Sequence, residues 1–136
     1  MIPPLRLRPG EAVPAWVTTV DAACFSQAWG PLEQDEWLWA LPPWAFARWR
    51  LLPQVQEAEL LRIAVDQAMR RRGLGRALLG HCQVELAGMG ISSLFLEVRV
   101  TNAQARALYE GEGWVYQGLR RGYYQDGEDA ALYRLG

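Results

Sequence analysis

The sequence predicts a mixed α/β domain, a sheet with helices packed on it in three layers at most. Three observations predict it. Strand-length apolar runs alternate with stretches in which apolar residues recur every three or four positions. Glycine, proline and asparagine mark the boundaries between them. The chain has 136 residues, about half of them hydrophobic, which suits one core and leaves little room for a second. A single domain over residues 1–136 is therefore expected.

The elements follow in order. Residues 4–8 alternate as a first strand, ended by Pro9-Gly10. Residues 12–25 carry helical spacing, 26–30 read as a loop, and 32–37 read as a short second helix. Residues 37–41 and 44–52 read as two strands around a tight turn at Pro42-Pro43, and 59–65 as an apolar central strand. In residues 73–87, Leu74, Ala77, Leu78, Cys82 and Leu86 fall on one helical face, stopped by Gly88 and Gly90. Residues 93–99 form another strand. Asn102 is a suitable N-cap for a helix reaching about Glu112. A last hairpin, 114–124 with 129–135, turns at Asp126-Gly127.

Composition excludes several classes. A formal net charge of −1 argues against a general polyanion binder, so direct nucleic-acid binding is not expected. No apolar run approaches the length of a membrane span. The start, Met1-Ile2-Pro3-Pro4-Leu5-Arg6, lacks the basic-then-apolar layout of a secretion signal, and a cytoplasmic location is expected. Cys24 and Cys82 are too few and too far apart for a disulfide framework or a zinc site. His81 beside Cys82 reads as a surface histidine next to a packed thiol, because adjacent helical residues point in different directions. No metal is expected.

Basic charge is concentrated locally: residues 62–76 hold five arginines against the single acid Asp66. In this stretch an apolar strand leads into Arg70-Arg71-Arg72-Gly73-Leu74-Gly75-Arg76 and then a helix. Unpaired N–H groups at the start of a helix, with its dipole, favour an anion there. Gly73 and Gly75 let backbone approach a phosphate with no Cβ in the way, and arginine adds permanent charge. The turn is neither a Walker loop nor the three-glycine dinucleotide fingerprint. Alone it fits either an anion site or a tight turn with solvated arginines.

These residues resemble a known family. Arg70-Arg71-Arg72-Gly73-Leu74-Gly75 matches the Gln/Arg-x-x-Gly-x-Gly/Ala motif of the GNAT superfamily of N-acetyltransferases. It follows Leu61-Arg62-Ile63-Ala64-Val65-Asp66, which looks like that family's central strand. Leu96-Glu97-Val98-Arg99, Thr101-Asn102-Ala103 and Ala107-Leu108-Tyr109-Glu110 match the next two elements. The stretch from Arg120-Arg121-Gly122-Tyr123-Tyr124 to Ala130 resembles the RimI-like subgroup, which acetylates the N-terminal alanine of a ribosomal protein. The match is dense over residues 59–135 and thin before them. Gln67 stands where the family commonly has proline, and Trp114 where it has phenylalanine. The tryptophan-rich early strands (Trp37, Trp39, Trp44, Trp49) also depart from the family, and offer either an altered acceptor site or a dimer face.

The resemblance implies a GNAT fold: a mostly antiparallel mixed sheet with a splayed strand pair, flanked by about four helices. It implies acetyl-CoA as cosubstrate, with its pyrophosphate at Arg70, Arg71, Arg72, Gly73, Leu74, Gly75 and Arg76. Main-chain groups of a bulged segment at Ile63, Ala64 and Val65 would hold the pantetheine, which Asn102 would also reach. The acceptor would be the N-terminus of a protein or peptide, the enzyme a monomer or weak homodimer. Glu97 corresponds to the residue that accepts the amine proton. An unpaired carboxylate in an apolar strand is costly, and burial would raise its pKa toward a useful range; read without the family, Glu97 pairs equally well with Arg99 or Arg106. Tyr109 corresponds to the general acid, although a helical tyrosine is commonly a core anchor. Acceptor contacts are expected from Glu33, with Asp35 and Glu36 beside it, and from Tyr123 and Tyr124. A small-molecule amine or antibiotic as acceptor, and a non-catalytic CoA-binding scaffold, remain as rival readings.

Overall fold

Seven strands form one sheet in the order β1-β2-β3-β4-β5-β7-β6. The computed structural model describes residues 4–136; Met1, Ile2 and Pro3, part of the segment read for a secretion signal, lie outside them. The strands are β1 (Leu5–Leu7), β2 (Glu36–Leu41), β3 (Ala45–Leu52), β4 (Glu57–Val65), β5 (Ser93–Arg99), β6 (Val115–Arg120) and β7 (Ala130–Leu135). Every neighbouring pair is antiparallel except β4 with β5. Three helices cover the sheet: α1 (Ala15–Cys24), α2 (Leu74–Gly88) and α3 (Ala103–Gly111). Among the described residues no helix is long and apolar enough to cross a membrane.

Strand alternation divides the core between two faces. Trp39, Ala45, Ala47 and Trp49 point to one side and pack with Leu78, Leu79, Cys82 and Leu86 of α2 and Tyr109 of α3. Leu38, Ala40, Phe46 and Ala64 point to the other and pack with Val17 and Val20 of α1. Cys82 is fully buried, and burial pushes its thiol up to about 12, so it serves as packing.

Two features of β4 shape the site. Its ladder with β3 shifts register between Arg48↔Arg62 and Trp49↔Leu60, so Leu61 faces no β3 partner and forms a bulge. The bulge lies two residues before the 63–65 segment expected for it. Pairing of β4 with β5 ends at Leu60↔Leu96. Beyond that pair β4 follows β3 to Val65 and β5 follows β7 to Arg99, leaving a fork between them.

The helix expected at 32–37 is absent, and the described residues hold three α-helices where about four were expected. A buried ion pair explains the difference. Glu36 is 1% exposed; its Oε1 accepts from Arg48 Nε at 3.1 Å and from the Glu33 N–H at 2.9 Å. Holding that carboxylate against Arg48 draws residue 36 into the β2–β3 ladder, opposite Arg50. The final hairpin is also looser than a two-residue Asp-Gly turn, since residues 121–129 lie between β6 and β7.

Candidate active site

A cleft of ≈ 790 Å³ opens at the fork, a size usual for small-molecule sites, roughly 300–1,000 Å³. Leu61, Arg62 and Ile63 line it from β4, and Glu97, Val98 and Arg99 from β5. Asn102, Ala105 and Tyr109 contribute from α3, Phe25 and Trp29 from the segment after α1, and Tyr123 and Tyr124 from the final hairpin. Ile63, Glu97, Asn102, Tyr109, Tyr123 and Tyr124 thus meet in one place. Ala64 is buried toward α1, and Val65 ends the strand.

The arginine-glycine turn lies at the start of α2. Gly73 is its N-cap, with φ 75°, and Arg71 before it also has a positive φ of 64°. That left-handed backbone suits glycine and is strained for arginine. The first backward helical bond runs from the Ala77 N–H to the Gly73 carbonyl at 2.9 Å. The N–H groups of Leu74, Gly75 and Arg76 therefore have no acceptor within the helix, and no side chain caps it. A Cβ on Gly75 would lie 3.7 Å from both Leu108 and Val65, so the turn is seated closely on β4 and α3. Arg70 bends back to donate to the Val65 carbonyl (3.3 Å) and to Cys24 Sγ (3.4 Å). Arg76 pairs with Glu112 at 3.2 Å. Arg71 and Arg72 are exposed and pair with no acid among the described residues. The turn is a cationic rim around free backbone donors, a fit for a phosphate-bearing ligand.

Glu97 projects from β5 into the cleft. Its Oε1 accepts from Arg120 at 2.8 Å, so its ion-pair partner is Arg120 rather than Arg99 or Arg106. Its Oε2 is buried without a hydrogen-bond partner. Tyr123 stands close to it without a well-formed hydrogen bond; burial first, then the charge of Glu97, holds the Tyr123 phenol above its ordinary value. Tyr109 is 5% exposed, and burial raises its phenol well above the usual tyrosine range. Asn102 caps α3 as expected, its Oδ1 accepting from the Ala105 N–H at 3.1 Å.

Sequence reading missed Glu59. It lines the same cleft, and burial raises its carboxyl, opposed by Arg50 and reinforced by the charge of Glu97. The signal was an acid alternating with apolar residues in Glu57-Ala58-Glu59-Leu60, hidden when residues 59–65 were read as one apolar run. Glu33, by contrast, is exposed and does not line the cleft. Asp35 is paired with Arg50 at 3.2 Å and Glu36 with Arg48. None of the three lines the cleft.

The hairpin wall is fixed from β5. The Arg99 guanidinium lies 4.1 Å from the Tyr124 ring centroid and donates to Asp126 (2.8 Å) and Glu128 (3.1 Å). Burial pushes the Tyr124 phenol up to about 12, against the pull of Arg99. Among the described residues no group of three or more His, Cys, Asp or Glu gathers to hold a metal.

Residues 17–114 match the model of the acetyltransferase (GNAT) family. The chain belongs to the GNAT family. Over 84 residues this GNAT chain is 50% identical to the ribosomal protein bS18-alanine N-acetyltransferase of Escherichia coli K12, covering 60% of this chain and 57% of that protein. It is 36% identical over 91 residues to an N-alpha-acetyltransferase of Saccharolobus solfataricus, covering 65% and 54%. The matches span a little over half the length of these curated relatives. The crystal structure of the Escherichia coli ribosomal-protein-S18-alanine N-acetyltransferase superimposes with a TM-score of 0.77 and 31% identity, covering 97% of this chain and 92% of that one. The seven-stranded sheet and its fork are thus those of a GNAT fold.

Proposed function

We propose that this protein transfers the acetyl group of acetyl-CoA to the N-terminal α-amine of a protein. One observation carries the reading: the bare, buried Oε2 of Glu97 shares a cleft with the Tyr109 phenol, where the strands fork. Acetyl-CoA fits this chain because three polar needs coincide. The uncapped start of α2, with Arg71 and Arg72, suits the pyrophosphate. The edge of β4, expected to hold the arm at Ile63, Ala64 and Val65, is freed from β5 beyond Leu60; Ile63 and Val65 turn main-chain groups to that edge, whereas those of Ala64 face Phe46 on β3. Asn102 lines the same cleft as Ile63.

Acetyl-CoA supplies an activated thioester. The amine nitrogen attacks its carbonyl carbon, the C–S bond breaks, and an amide and a free thiol result. Glu97 accepts the proton the amine loses and returns it to solvent. An α-amine has a pKa of about 8, so a modest base suffices, whereas a lysine side chain at about 10.4 needs more help. Tyr109 remains protonated throughout the working range. It gives its proton to the sulfur as negative charge develops there and is reprotonated from solvent, which balances the proton released by Glu97.

The acceptor assignment rests on relatives named as acting on protein N-termini and on a cleft with two carboxylates, Glu59 and Glu97, and the Tyr123–Tyr124 wall. A ribosomal protein beginning with alanine followed by a basic residue suits that lining, and such a target places the enzyme in the cytoplasm. The test is thiol release from acetyl-CoA with a panel of N-terminal peptides and small amines. Turnover is expected on a peptide beginning Ala-Arg, with a loss of roughly 10²-fold or more in Tyr109→Phe. Turnover on small amines alone would overturn the acceptor, and cofactor binding with no turnover on any amine would overturn catalysis.

A further inference from the structure

Arg62 is a charged residue in the otherwise apolar stretch Leu60–Val65, directly after the Leu61 bulge. Its side chain is 13% exposed, so a specific set of partners must compensate the buried charge. Those partners all belong to α1 or the segment following it. Arg62 donates to Asp21 Oδ1 at 2.8 Å, and Asp21 is itself buried. The other oxygen of Asp21 accepts from the Trp29 N–H at 3.4 Å. The guanidinium carbon lies 4.3 Å from the Phe25 ring centroid and 4.6 Å from that of Trp29.

Arg48, opposite Arg62 on β3, completes the attachment. It lies 4.9 Å from the Trp29 ring centroid and donates to the Gly30 and Pro31 carbonyls, both at 2.8 Å. Residues 25–31 have no helix or strand. Apart from the Phe25 N–H to the Asp21 carbonyl, their polar contacts run through these two arginines and Asp21, and Phe25 also packs against the core on the α1 side. Yet Phe25 and Trp29 form the cleft wall opposite the final hairpin, and Arg62 lines the cleft with them.

We propose that Arg62 is a positioning residue for the acceptor: its ion pair with Asp21 and its stacking on Phe25 and Trp29 set the wall against which the incoming peptide is aligned. This rests on the transferase reading above. Arg62 acts through the 25–31 segment rather than on the reacting atoms. Its loss therefore falls on acceptor recognition, leaving the uncapped α2 turn and the Glu97–Tyr109 pair intact. Cation–aromatic contacts of this kind strengthen as the cation is withdrawn from water. Lysine at this position keeps the charge for Asp21 but loses the planar group that covers two rings.

The test combines a kinetic and a non-kinetic readout. In Arg62→Leu the KM for acceptor peptide should rise tenfold or more, while kcat at saturating peptide and the KM for acetyl-CoA stay within twofold. Arg62→Lys should recover part of the loss. Trp29→Leu leaves the Arg62–Asp21 pair in place and should reproduce the peptide-KM effect, which keeps the idea testable if Arg62→Leu does not fold. Amide exchange over residues 25–31 in the enzyme without substrate should quicken in all three variants, whatever the acceptor is. Unchanged exchange there, or equal losses in both KM values and kcat, would overturn the positioning role. Quickened exchange with no native turnover on any amine would instead fault the transferase reading alone.

Discussion

At the residue scale the proposed chemistry rests on two groups held in different conditions. Glu97 keeps one oxygen on Arg120 and one bare, while burial holds the Tyr109 phenol above its ordinary value. An acid whose pKa is raised stays protonated to higher pH. The profile of kcat/KM should therefore climb as the acceptor amine loses its proton near pH 8, then stay level past about 10, the usual tyrosine value. A falling limb centred below about pH 9 would show that Tyr109 is not shielded as described. Glu97, Asn102 and Tyr109 were legible in the sequence because family motifs fix their spacing. Glu59 and Arg62 were not. Each sits on the cleft side of a strand whose apolar neighbours dominate a linear reading.

At the element scale, the proposal gives the start of α2 and the fork between β4 and β5 separate tasks. The α2 turn has a left-handed glycine at position 73 and exposed arginines at 71 and 72, which the proposed phosphate site uses. Gly73→Ala meets no neighbouring atom within 4 Å, so its cost is backbone strain of about 1–2 kcal/mol. Arg72→Glu costs little stability, being exposed, but opposes an anion. Both should raise the KM for acetyl-CoA while leaving the KM for peptide nearly unchanged, as measured by varying each substrate in turn. A rise confined to peptide KM would move the phosphate site elsewhere. The turn was legible because glycine spacing and charge both announce it. The missing helix at 32–37 was not, because the contact that unmakes it, Glu36 with Arg48, joins residues twelve apart through a sheet pairing. Likewise the expected bulge fell at Leu61 instead of 63–65, since register is set by the neighbouring strand.

At the scale of the whole molecule, one sheet supports two unequal faces: α2 and α3 over one, α1 over part of the other. The forked strands each send an arginine to an aromatic wall, Arg62 to Phe25 and Trp29, Arg99 to Tyr124. The cleft these walls line also holds Asn102, Glu97 and Tyr109, the groups the proposed transfer uses. The fold class and the order of most elements were readable from hydrophobic period and punctuation. The walls were not, because they assemble from segments far apart in the chain. The account is tested most directly by mass spectrometry of one peptide pair beginning Ala-Arg and carrying an internal lysine, with the N-terminus free or blocked. Incubated with acetyl-CoA, the free peptide should gain one acetyl group on its α-amine and the blocked peptide none. Acetylation of the lysine in both, or of neither peptide, would contradict it.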